Sequence, residues 1–237
     1  MNRRDRLINV CTVVVRWGSG SPVSILALRD ELVGRDFDDP GRWWPKHPDL
    51  VGGRDRQAGG TWCASRISTG VTALVLNRPN KRLAEPGAPS RGVLPLLAAE
   101  YEDGWQSRLD LTGMASFALV LAAPDRLTTW DFDGATLTTR HLEPGTHMVT
   151  SGGAEDGKAE RYLSTFADGD FPRDWIGLLG STEPRDDPAS LVVRHERDNQ
   201  VFATVFGELL AGQPGSLKVH FTRTPWGTHE WNRLDLS

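Results

Sequence analysis

The strongest constraint on this chain is a succession of short apolar runs, rich in β-branched residues, with little helix between them. Residues 7–17 read LINVCTVVVRW, a glycine-, serine- and proline-containing turn follows, and residues 23–28 are apolar again. That is the pattern of a hairpin near the start of the chain. Two further strands are expected over 61–67 and 70–76, a meander over 117–122, 127–132 and 137–141, and extended segments at 148–151, 191–194, 201–210, 218–222 and 230–234. Helical spacing occurs only at 91–101, where Ser90 is placed to cap, and at 160–166 and 175–179. Strands in runs with a few helices between them predict an α+β fold rather than alternating βα units. Residues 35–60 carry Pro40, Pro45 and Pro48 among several glycines and read as a long loop, which Trp43, Trp44 and Leu50 should hold against the core.

Composition narrows the class of protein. No apolar run in the 237 residues approaches the roughly 20 needed to span a bilayer. The basic opening MNRRDRLINV lacks an apolar segment ending in a small-residue cleavage site, so a signal peptide is not expected. Lys and Arg number 27 against 31 Asp and Glu, a net charge of −4 with no basic block, which argues against a nucleic-acid partner. Two cysteines suit a reducing compartment, and a cytoplasmic location is expected. The nine tryptophans follow no fixed period and are read mostly as core and loop-closing rings. The six histidines are scattered, with no spacing that would make a metal site.

Three places have the residue types for chemistry. Cys11 lies early in the first strand; by position alone it reads as a core cysteine, and with an activating base it would be a nucleophile. Arg29 and Asp30 end the second strand and, if the hairpin returns them beside Cys11, form an electrostatic site around the thiol. Gly59 and Gly60 permit close backbone approach, and Asn77, at the end of a later strand, carries an amide able to donate to an oxyanion. Cys63 reads as core, and the acid pairs Glu102-Asp103 and Asp186-Asp187 as solvated loop residues.

These residues belong to a longer ordered series: Cys11-Thr12-Val13-Val14, Leu28-Arg29-Asp30-Glu31, Trp44-Pro45, Gly53-Arg54-Asp55-Arg56, Ala58-Gly59-Gly60-Thr61-Trp62 and Leu76-Asn77-Arg78-Pro79. The series resembles the NRDE family, also called the transport and Golgi organisation protein 2 family. Ser90-Arg91-Gly92 and the stretch 144–150, PGTHMVT, are similar to its bacterial members. The resemblance implies a fold like that of N-terminal nucleophile (Ntn) hydrolases, a four-layer αββα sandwich with two antiparallel sheets between helices. It implies Cys11 as nucleophile with its own α-amine as base, Arg29 and Asp30 organising amine and thiolate, and Asn77 and Ser151 as polar oxyanion residues. Three departures accompany it: Leu28 stands where the name-giving motif has Asn, Ser151 where amidases have Asn, and near Phe202-Ala203-Thr204 no arginine matches the one amidases use late in the chain.

An α-amine base requires Cys11 to be the first residue. Residues 1–10 are therefore expected to be a cleaved leader or the product of an early start assignment, a GTG codon at Val10 being the true initiator, with residues 11–237 as a single domain. The resulting expectation is a cysteine amidohydrolase for a small non-peptide C–N bond, needing no cofactor. The alternative expectations are a haem-binding carrier, since the family is linked to haem movement, and a scaffold with an inactive Ntn-like site.

Overall fold

The computed structural model describes residues 11–18, 20–78, 82–153 and 157–237. Residues 7–10 of the expected first strand lie outside these. The first hairpin is β1 (Thr12–Trp17) and β2 (Val23–Leu32). A seven-stranded meander follows: β3 (Phe37–Gly41), β4 (Leu50–Asp55), β5 (Cys63–Arg66), β6 (Val71–Asn77), β7 (Phe117–Ala123), β8 (Arg126–Phe132) and β9 (Leu137–Leu142), each paired with the next. The chain then returns to the hairpin. β10 (Gly145–Thr150) pairs with β1, while β12 (Gln200–Gln213) pairs with β2 and carries β11 (Arg194–Arg197), β13 (Ser216–Thr222) and, beyond it, β14 (Asn232–Leu236). All these pairings are antiparallel.

Helices cover both outer faces. α1 (Leu94–Tyr101) and a 3₁₀ segment (Glu102–Arg108) pack on the meander sheet with Phe117, Leu119 and Trp130. α2 (Lys158–Asp168) and α3 (Arg173–Gly180) pack on the other sheet through Phe166, Trp175 and Leu179 against Val14, Leu26 and Leu28. Between the sheets lies a third core that includes Val13, Ile25, Ala27, Leu74, Val120 and Leu210. The order is therefore helix, sheet, sheet, helix, the αββα layering expected. Alternation along a strand explains the sorting: Val13 and Val15 of β1 face the opposite sheet, Val14 faces the helices.

The segment 35–60 is not the loop its prolines and glycines suggested, since it contains β3 and β4. Pro40 is tolerated because β3 is the sheet's edge, and a register irregularity falls between Asp38 and Gly41. Gly53 is inside β4 because the Trp62 indole lies against it; a Cβ there would sit 2.3 Å from the ring. Ser90 does cap, its hydroxyl accepting the Gly92 N–H at 3.3 Å. The fully buried Trp105, Trp130 and Trp175 are core rings. Among the described residues no helix is long and apolar enough to cross a membrane.

Candidate functional site

A cavity of about 310 Å³ opens between the sheets at the end of β1 and β2, lined by Cys11, Arg29, Glu31, Arg35, Asp55, Trp62, Asn77 and Arg91 among others. Strand pairing builds it. The register Thr12↔Leu28 carries the chain from Cys11 past Arg29, and the Asp30 N–H reaches Cys11 Sγ at 3.4 Å. On the other side, the Ser151 N–H donates to the Cys11 carbonyl at 3.1 Å. Thus Cys11 is held between the ends of β2 and β10.

Arg29 and Asp30 are adjacent in sequence and fall on opposite faces of β2. Arg29 points between the sheets with its guanidinium over the Trp62 ring at 4.6 Å and the Phe37 ring at 5.1 Å, and pairs with Asp55 and Glu31 at 3.3 and 3.4 Å. Asp30 sends its carboxylate to the helix side. There Oδ1 accepts from Thr204 Oγ1 at 2.5 Å and Oδ2 lies 3.9 Å from Lys158 Nζ. Burial pushes the Asp30 carboxyl up to about 6, against the pull of Lys158, Thr204 and His195. A bulge in β12 makes this possible: Thr204 pairs with Asp30 and Phe206 with Arg29, so Val205 is the extra residue. The extra residue switches the parity of β12, leaving Thr204 on the helix side while Phe206 packs against Phe37 and Trp62 between the sheets.

The same alternation accounts for Leu28. It is 2% exposed in the helix-side core with Val14 and Phe166, so replacing a polar residue there leaves the cavity lining untouched. Ser151 is beside Cys11 through its backbone, but its buried Oγ has no hydrogen-bond partner among the described residues. Asn77, half-buried at the end of β6, lines the cavity, and its amide bonds to no described residue. Burial foremost, and then the charge of Asp30, push the Cys11 thiol up to about 12 in the full chain, outweighing the Asp30 N–H and Arg29. As an internal residue Cys11 is a protonated, weak nucleophile.

Several site residues were not singled out from the sequence for a role. Asp55 anchors the cavity floor. Its Oδ1 accepts from the Gln57 and Ala58 amides at 3.0 and 2.9 Å, and its Oδ2 from Arg35 Nε at 2.6 Å. Burial raises this carboxyl, but the bonds and charges of Arg35, Ala58 and Arg29 outweigh it and hold it below the usual range. Arg91 enters the wall because Gly60 and Gly92 touch, with Thr61 N bonded to the Gly92 carbonyl at 2.9 Å. Arg78 bridges the sheets: it donates to Asp131 at 2.7 Å and to the Thr150 and Ser151 carbonyls at 2.6 and 3.1 Å. The signal for these lay in the motif stretches 53–56, 76–79 and 90–92, whose charged residues have no place in a purely apolar strand pattern.

Arg78 also lines a larger cleft of about 580 Å³ with Asp131, Arg140, His147 and Met148, beside the sheet edges β9 and β10. His147 faces this cleft rather than the Cys11 cavity. Cys63 is buried as expected, and Glu102 pairs with Arg126 rather than standing in solvent alone. Among the described residues no group of three or more His, Cys, Asp or Glu is arranged to hold a metal ion.

Residues 11–167 match the family described as Transport and Golgi organisation 2. No curated protein matches the chain.

Proposed function

The chain belongs to the Transport and Golgi organisation 2 family, and from that premise we propose that it is a cysteine amidohydrolase of the Ntn type, acting on a small non-peptide C–N bond once Cys11 is the first residue. The observation that carries the reading is the composition of one cavity. It brings a cysteine at a strand end, a buried arginine and the Asn77 carboxamide together, with a buried carboxylate immediately behind the cysteine.

In this reading the Cys11 α-amine, ordinarily titrating near 7.7–8.0 (roughly), takes the thiol proton as Sγ attacks the substrate carbonyl carbon. Asn77 and backbone N–H groups hold the tetrahedral oxyanion, each such donor being worth roughly 2.7–4 kcal/mol. The amine then passes the proton to the leaving nitrogen as the C–N bond breaks, leaving a thioester on Cys11. Water attacks the thioester with the amine again as base, and the acid leaves as the thiol is restored. Arg29 stabilises the thiolate, and Asp30 orients the amine through Oδ2, which makes no hydrogen bond among the described residues.

The test compares the intact mass of protein from its native host, before and after iodoacetamide, with that of a recombinant chain beginning at Cys11. The expected result is a native chain that starts at Cys11 and is labelled there stoichiometrically, with amide turnover lost in Cys11→Ser. A native chain that keeps residues 1–10, unlabelled at Cys11, overturns the proposal. A Soret band on hemin addition to such a chain would instead support the carrier function.

A further inference from the structure

We propose that Lys158 is a positioning residue for this site, a buried ammonium that balances Asp30 so that the Cys11 amine can stand unprotonated and accept the thiol proton. The inference rests on the nucleophile reading above and adds to it a residue from a different layer of the fold.

Lys158 is the first residue of α2 and has no exposed surface. Its Nζ donates to Thr12 Oγ1 at 2.9 Å and lies 3.9 Å from Asp30 Oδ2. Thr12 is the residue after Cys11, and Asp30 is the one whose backbone N–H meets the Cys11 sulfur. The ammonium therefore sits at the nucleophile's back, on the helix side, while the cavity lies in front. A lysine drawn wholly out of water is costly, and an apolar residue would dock α2 at least as well. Its presence needs a reason beyond packing.

The reason follows from the charge of Asp30. An α-amine released beside one buried carboxylate is favoured as an ammonium, its titration moving upward by roughly one to three pH units. At neutral pH it would then be protonated and useless as a base. A second cation already paired with the same carboxylate removes most of that bias and repels a further positive charge. Among the described residues, the other charged groups around this point are Arg29 and Glu31 on β2, Arg91 before α1, and His195 on β11. Arg29 and Glu31 pair with each other, and His195 pairs with Asp186 at the surface. That leaves Lys158 as the cation closest to the Asp30 carboxylate among the described residues.

The experiment uses chains that begin at Cys11 and measures the rate of Cys11 alkylation by iodoacetamide against pH, with the melting temperature of each variant alongside. Lys158→Met is expected to move the midpoint up by at least about one pH unit, an alkylation rate roughly tenfold lower at neutral pH. Lys158→Arg should keep the wild-type midpoint. Asp30→Asn should lower it, and Asp30→Asn with Lys158→Met, which buries no lone charge, should move it back up. If Lys158→Met fails to fold, the comparison of that double variant with Asp30→Asn decides. A lower melting temperature with an unmoved midpoint, or equal midpoints in that last pair, overturns the role of Lys158 alone. A wild-type chain beginning at Cys11 that alkylates no faster than the full chain overturns the nucleophile reading, and the role of Lys158 with it.

Discussion

Glu208 is a carboxylic acid set between the two sheets with 1% of its surface exposed and no cation paired to it among the described residues. Its Oε1 accepts from Trp62 Nε1 at 3.1 Å, and Cys63 is its other partner. Burial pushes it from its ordinary 4.5 up to about 7, against the pull of Cys63 and Trp62. An unfolded glutamate loses its proton near 4.5, whereas the folded chain keeps it to about pH 7. Between the two the folded form binds more protons, so stability falls as pH rises through that window. Glu208→Gln, which keeps an oxygen for Trp62, should flatten the fall by roughly 3 kcal/mol, read as denaturant midpoints at pH 4.5 and 7.5. Asp30 acts with the same sign from 3.8 to about 6, so some slope should persist in that variant. None of this was legible in the sequence. A lone Glu in an extended run reads as solvent-facing, and only the bulge at Val205 turns Glu208 inward. Arg29 and Asp30 were legible as a charged pair, but strand alternation sends them to different layers, with Lys158 and Thr204 as the partners of the carboxylate.

Among the elements, β2 shows how far pattern reading goes. Its apolar half was visible, yet the strand continues through Arg29, Asp30 and Glu31 to Leu32, because β12 supplies partners along its whole length. The charged end that looked like a strand leaving the sheet is the floor of the cavity. The turn before β5 is the opposite case: the paired glycines at 59 and 60 were read as a place of close approach, and Gly60 is one. A Cβ on Gly60 would lie 2.5 Å from the Gly92 carbonyl carbon, a clash with backbone that cannot rotate away. Gly60→Ala should therefore cost about 1–3 kcal/mol of unfolding free energy and move Arg91 out of the cavity wall. Gly104→Ala, in the 3₁₀ segment with nothing within 4 Å, should stay within about 0.5 kcal/mol of wild type in the same denaturation experiment.

Over the whole molecule, the layering was legible because apolar alternation survives in nearly every strand; how the layers are fastened at the site was not. Arg78 fastens them there, joining the end of β6 and Asp131 of β8 to the last carbonyls of β10. Arg78→Met should lower stability by about 1–3 kcal/mol and speed hydrogen exchange at the Ser151 amide, which bonds to the Cys11 carbonyl. Arg78→Lys keeps the charge but loses the two-nitrogen contact to Asp131, and should recover less than half of that stability. The meander sheet is continuous in the chain, β3 to β9, whereas the sheet that bears Cys11 joins residues 12–32 to strands that begin at residue 145. As the chain leaves the ribosome, the meander can close on itself while β1 and β2 still lack their neighbours on either side. Asp30 must wait for Thr204, 174 residues away, and Thr12 for Lys158, 146 away. The hairpin brings Cys11 to Arg29 and Asp30 early, but the helix-side partners of Asp30 and Thr12 arrive only with α2 and β12, late in the chain.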